Sequence, residues 1–163
     1  FPIFAAGSWS NRRISRVVGT SIMYLPTFQF PRITALFYAE FHPTQGPTIV
    51  YDVPEGSLIG QERLFDFETV ADYVIPKSGV TDRVMTLTVG NYKLVGFPSR
   101  VESARYARNA LIFNLIFVFA RQADTRAYEP VVRKVATTLR TLEVCSPLDR
   151  GIDSVALTPP GVT

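Results

Sequence analysis

The chain has 163 residues, enough for one domain with its own core and short for two. Hydrophobic residues make up 47% and charged residues 19%, the ordinary balance of a soluble globular domain. The net charge of +3 is unevenly spread: the first 39 residues hold Arg12, Arg13, Arg16 and Arg32 and no acid, and the rest carries 13 basic against 14 acidic side chains. A nearly neutral domain of this kind is a poor match for a nucleic-acid backbone.

Other classes fall away on residue types. One cysteine, Cys145, excludes an internal disulfide, and its isolation fits a reducing compartment. There is no Cys/His set for zinc, so neither a metal nor another cofactor is expected. The longest apolar run, 110–120, is of strand length and too short for membrane insertion.

Residues 1–32 mix Phe, Ser and Arg without a lasting period, interrupted by Pro2, Pro26 and Pro31. They read as a leader or flexible extension, with the apolar residues, Trp9 among them, able to dock on the domain. Regular structure is expected from residue 33. A β-rich run over 33–41, turn chemistry at Pro43, Gln45, Gly46 and Pro47, and a returning run over 48–53 make a hairpin. Residues 64–76 read as a short amphipathic helix: Asp66 is placed to cap it, Pro76 to stop it, and Phe67, Val70, Ala71 and Val74 share one face.

Three more strands follow. Residues 83–89 alternate, and Gly90 and Asn91 turn the chain into 92–102, where Pro98 implies an edge position or a bulge. After a loop over 103–108, residues 109–120 are apolar on both alternating sets, as in a central strand covered on both faces. The last element is the clearest helix, 128–143, with Pro130 in its first turn. Val131, Val135, Thr138, Leu139 and Leu142 are its expected buried stripe, with Arg133, Lys134, Arg140 and Thr141 facing water. Residues 146–163 read as a linker or tail. The expected fold is therefore α+β, five mostly antiparallel strands with packed helices in the order β-β-α-β-β-β-α, occupying 33–145.

Self-sufficient chemistry is hard to find in this sequence. No GxxxxGK[ST] or GxSxG motif occurs. The one histidine, His42, stands beside Pro43 at the hairpin turn with no nucleophile near it, and is expected to hydrogen-bond the turn backbone. Cys145 has no neighbour to activate it. Asp66, Glu68 and Asp72 read as a solvated helix edge. Arg105 and Arg108, just ahead of the apolar strand, are less easily dismissed. Either they hold a loop, with a nearby acid such as Glu102 as partner, or one of them reaches out to another molecule.

The blocks FYAEFHPTQGPTIVYDVPEG, FDFETVADYVIPK, LTVGNYKLVGFPSRVES, RYARNALIFNLIFVF and YEPVVRKVATTLRTLE, in that order over roughly residues 33–144, closely resemble the N-terminal domain of the nitrogen permease regulator 2 family. The resemblance implies a longin (profilin-like) fold. Longin folds usually carry a further C-terminal helix, for which 152–157 is short and broken.

The resemblance also implies a function. The domain would pair with a nitrogen permease regulator 3-like sister subunit through longin domains. With a third, DEP-domain subunit, the assembly would act as a GTPase-activating complex on Rag-type GTPases at the vacuolar or lysosomal surface. It would restrain TOR signalling when amino acids are scarce, with autophagy among the processes affected. In the family's R/K-Y-x-R-N-A-L motif, read here from Arg105 to Leu111, the second arginine is the implied arginine finger, which carries the role to Arg108. Arg100 and Arg105 would orient or dock. The subunit would have no active site of its own, and the isolated domain is expected to form a homodimer through the surface left unpaired. The competing expectation is a non-catalytic longin scaffold of a membrane-trafficking complex.

Overall fold

The computed structural model describes residues 30–60, 63–77 and 80–147. The expected leader and tail therefore lie almost wholly outside the described residues, as do Trp9 and 152–157.

The first hairpin forms as expected: strand β1 (Ile33–His42) runs antiparallel to β2 (Gly46–Val53). Gly46 takes φ 81°, a conformation that favours a residue without a side chain. A 3-10 turn (Phe67–Thr69) and one turn of helix α1 (Ala71–Val74) occupy the expected helical segment. This element is shorter than the sequence implies. The Asp66 side chain caps nothing; its carbonyl accepts from the Thr69 amide at 3.3 Å and from the Thr69 hydroxyl at 2.7 Å. The predicted face is nonetheless the buried one, with Phe67, Val70, Ala71 and Val74 all inside.

Strands β3 (Met85–Val89), β4 (Tyr92–Gly96), β5 (Ser99–Glu102) and β6 (Ala110–Ala120) complete the sheet, and α2 (Glu129–Cys145) follows a short 3-10 turn. The sheet has six strands rather than five, all pairings antiparallel, in the order β2-β1-β6-β4-β3 with β5 also on β6. The extra strand arises because the run expected over 92–102 breaks at Phe97 and Pro98. Pro98 brings no amide to a ladder. The Phe97 amide leaves the ladder and donates instead to Oδ1 of Asn114, at 2.9 Å. Asn114 is fully buried in β6, and its amide nitrogen donates to the Val74 carbonyl at the end of α1, at 2.9 Å. A side chain on Gly96 would press on the Asn114 and Ile116 side chains, which favours glycine at the break. The order of elements and the α+β class are those of a longin-like fold.

Strand β6 is central and covered on both faces, which accounts for its unbroken apolarity. Ile116 and Val118 face one core with Phe37, Leu94, Phe67 and Val74, under α1. Phe117 and Phe119 face the other with Val95, Val132 and Ala136, under α2. The buried stripe of α2 differs from the expected one. Val132, Ala136 and Glu143 are buried and Val135 and Leu139 half-buried, while Val131, Thr138 and Leu142 face outward. Arg133, Lys134, Arg140 and Thr141 are exposed, as the sequence implied.

Candidate functional site

Loop 103–109 joins β5 to β6, whose pairing runs from Ser99 opposite Phe113 to Glu102 opposite Ala110. The loop is closed by its own backbone. The Ser103 amide donates to the Asn109 carbonyl at 3.0 Å, Tyr106 to Ser103 at 3.2 Å, and Asn109 to Tyr106 at 2.8 Å. Asn109 makes the last turn with φ 57°, in the left-handed region that asparagine tolerates better than most residues.

Tyr106 nails this loop to the face that α2 covers. It packs with Val101, Leu111 and Phe113 beneath Leu139 and is 6% exposed. Its hydroxyl donates to Oε1 of Glu143, a carboxylate in a residue only 5% exposed, at 2.7 Å. The Arg105 guanidinium joins the same knot, donating to the Tyr106 oxygen at 2.8 Å and to the Glu143 carbonyl at 2.7 Å. It also lies 3.9 Å from the Glu143 carboxylate. Burial, reinforced by the hydrogen bond to Glu143, raises the Tyr106 hydroxyl above its ordinary pKa of 10, while Arg105 pulls it down. Arg105 is thus a structural residue: it holds the loop to the end of α2.

Arg108 behaves differently. It is exposed, and its guanidinium carbon sits 4.6 Å from the centre of the Phe41 ring. Among the described residues no carboxylate pairs with it. Glu102, the expected competitor, instead stands 3.2 Å from Nε of Arg100. Phe41 lies at the end of β1 and packs against the core on the α1 side. The loop therefore straddles the end of the sheet, with Tyr106 anchored on one side and Arg108 seated on the other. A permanently charged planar fork of donors, paired with no carboxylate among the described residues, is well suited to meet a phosphate or a carboxylate.

The other candidates stay structural. Nδ1 of His42 faces the Thr44 amide at 3.4 Å and the Gln45 amide at 3.3 Å as acceptor and lies 3.1 Å from the Thr44 hydroxyl, which ties it to the hairpin turn. Cys145 is exposed at the end of α2. Asp66 and Asp72 pair with Arg63 and Lys77, at 3.5 and 2.8 Å, on an exposed edge. Among the described residues no three His, Cys, Asp or Glu side chains gather as metal ligands, and no helix is long and apolar enough to cross a membrane. The role of Phe41 has no signature in the sequence, and that of the Tyr106–Glu143 pair has a faint one. An acid at a helical position in phase with buried Val132 and Ala136 was the only hint of the second.

Residues 31–148 match the family described as Nitrogen permease regulator 2, which is well over half of the chain. The chain belongs to the nitrogen permease regulator 2 family. Curated members of the family agree. The chain is 38% identical over 117 residues to the Nitrogen permease regulator 2 homolog of Schizosaccharomyces pombe, covering 69% of the chain and 29% of that protein. It is 35% identical over 114 residues to Nitrogen permease regulator 2 of Saccharomyces cerevisiae, covering 70% of the chain and 18% of that protein. It is 36% identical over 113 residues to the GATOR complex protein NPRL2 of Drosophila melanogaster, covering 69% of the chain and 26% of that protein. The chain thus spans less than a third of the length of these nitrogen permease regulator 2 proteins, and the similarity lies in the longin-like domain that carries Arg108.

Proposed function

We propose that this domain is the longin module of a regulatory subunit in a GTPase-activating complex, and that Arg108 is the residue it lends to a partner GTPase. The observation that carries the reading is the state of Arg108: exposed, unpaired with any described carboxylate, and projected from a loop pinned at the start of the central strand. Had the guanidinium been locked inside the fold, only a docking role would remain. Charge develops on the transferred phosphoryl group and its leaving oxygen during GTP hydrolysis. A guanidinium delivered from outside neutralises that charge, and such residues raise rates by on the order of 10³–10⁵.

The Drosophila relative is named as a protein of the GATOR complex, which supports membership of a multi-subunit assembly. In the proposed assembly the partners are a nitrogen permease regulator 3-like sister subunit, a DEP-domain subunit and Rag-type GTPases, acting at the vacuolar or lysosomal surface to restrain TOR signalling. The outer edge of β2 is the proposed pairing surface. This strand ends the sheet order, and Tyr51 and Val53 are 66% and 60% exposed, with Ile59 at 59% on the same shallow depression. An open strand edge with apolar side chains is a ready template for a second sheet.

The test is single-turnover GTP hydrolysis by the Rag-type GTPase with the assembled complex containing full-length subunits. Arg108→Ala is expected to slow the stimulated rate by on the order of 10³ or more while the complex still assembles. An unchanged rate removes the catalytic reading and leaves a docking module.

A further inference from the structure

Arg108 does not stand alone at the sheet end. Its guanidinium lies over the face of Phe41, and that ring is itself fixed. Phe41 pairs with Pro47 in the hairpin, follows the last β1–β6 pair (Glu40 with Phe113), and packs on the core that α1 covers. The contact thus joins a side chain from a loop to a ring held by two strands and a core.

A cation over an aromatic face is attracted by the negative π cloud, and the attraction does not use the N–H donors at the guanidinium's edge. A carboxylate partner would hold the head as firmly but would occupy those donors and have to be displaced by an incoming phosphate. An arginine free in water would have to give up the freedom of its long side chain on meeting a partner. Phe41 avoids both costs.

We propose that Phe41 is a positioning residue for Arg108: its ring holds the guanidinium in the orientation in which it meets the anionic phosphoryl group of a partner nucleotide. This rests on the reading of Arg108 given above and adds to it a residue from another strand. The contribution should fall on the rate of the chemical step, because the ring orders the group that stabilises the transition state.

The experiment uses the assembled complex with full-length subunits and single-turnover GTP hydrolysis at varied complex concentration, giving a maximal rate and a half-saturating concentration. Phe41→Leu keeps apolar bulk and removes the ring; it should lower the maximal rate roughly 3- to 30-fold and leave half-saturation unchanged. Phe41→Tyr restores the ring and should restore the rate. In an Arg108→Ala background, Phe41→Leu should have no further effect, a dependence that a general packing role would not produce. If Phe41→Leu fails to assemble, Phe41→Met supplies the same comparison. The proposal is overturned if Leu matches the parent while Arg108→Ala is slow, if Tyr is as slow as Leu, or if Leu slows hydrolysis further without Arg108. Should Arg108→Ala itself leave the rate unchanged, the reading of Arg108 fails first and takes this proposal with it.

Discussion

Replacing Tyr106 by phenylalanine removes one oxygen from the knot that holds loop 103–109. The ring stays in its cluster with Val101, Leu111 and Phe113, so no cavity is opened. What is lost is the 2.7 Å bond to the Glu143 carboxylate and the acceptor for Arg105 at 2.8 Å. A hydrogen bond to a charged group contributes about 1.5–3 kcal/mol, and a buried acid that loses a donor keeps its desolvation cost. Arg105 remains 3.9 Å from that carboxylate and tempers the loss, which places the expected cost near 2 kcal/mol. For a domain of this size the melting temperature should fall by roughly 8 °C. Thermal unfolding followed by circular dichroism measures it. Hydrogen exchange at the Tyr106 and Asn109 amides, which close the loop, should quicken in parallel. Glu143→Gln in the same background should recover part of the loss, since a neutral amide is less costly to bury than a carboxylate that has lost a donor. A melting temperature within 2 °C of the parent, with exchange unchanged, would refute the anchoring role of the pair (a shift of about half a kcal/mol).

Other outcomes follow from the same geometry. Asn114→Leu strips the buried Phe97 amide and Val74 carbonyl of their partners and should cost about 2–5 kcal/mol in urea unfolding; Gly96→Ala, whose new carbon would meet Asn114 Oδ1 at 2.7 Å and Ile116 Cδ1 at 2.5 Å, should cost about 1–3 kcal/mol. Burial pushes the Asp52 carboxyl up, but donors from Leu58, Ile59, Gly56 and Ser57 outweigh it and leave its pKa below 3.8. Its stabilising contribution is therefore complete above that value and lost as pH falls below it, so Asp52→Ala should flatten the acid limb of a stability–pH curve. Tyr106 has the opposite sign: its raised pKa gives a contribution that is complete below pH 10 and lost as pH climbs further, and Tyr106→Phe should remove that alkaline component. The isolated domain should sediment as a concentration-dependent homodimer, and Tyr51→Lys should make it monomeric; a parent that is monomeric across micromolar concentrations would rule out the β2 edge as a self-pairing surface.

Much of the fold was legible because it is written in local patterns. The hairpin announces itself through Pro43 and Gly46, and β6 through apolar residues on both alternating sets. What escaped depends on residues far apart in the chain. The break at Pro98 could be read as a bulge until Asn114, 17 residues beyond Phe97, is seen taking up its amide. The phase of α2 in the structure lies one position from the stripe the sequence implies, because Val131 and Val132 are adjacent and either can begin a stripe. Glu143 settles that phase, yet an acid is an unexpected member of a buried face until its partner, 37 residues earlier, is known. The candidate site divides in the same way. Arg108 stands out in the sequence as a charge ahead of an apolar strand, whereas Phe41 reads as one more aromatic of a β-rich run.

Tyr106 turns to the α2 side of the sheet and Arg108 to the Phe41 side, so one short loop at the sheet end sends its two arms over opposite faces. A molecule leaning on α2 and one approaching Arg108 would meet opposite walls. Neither would need to vacate its place for the other, and two visitors could be received at once.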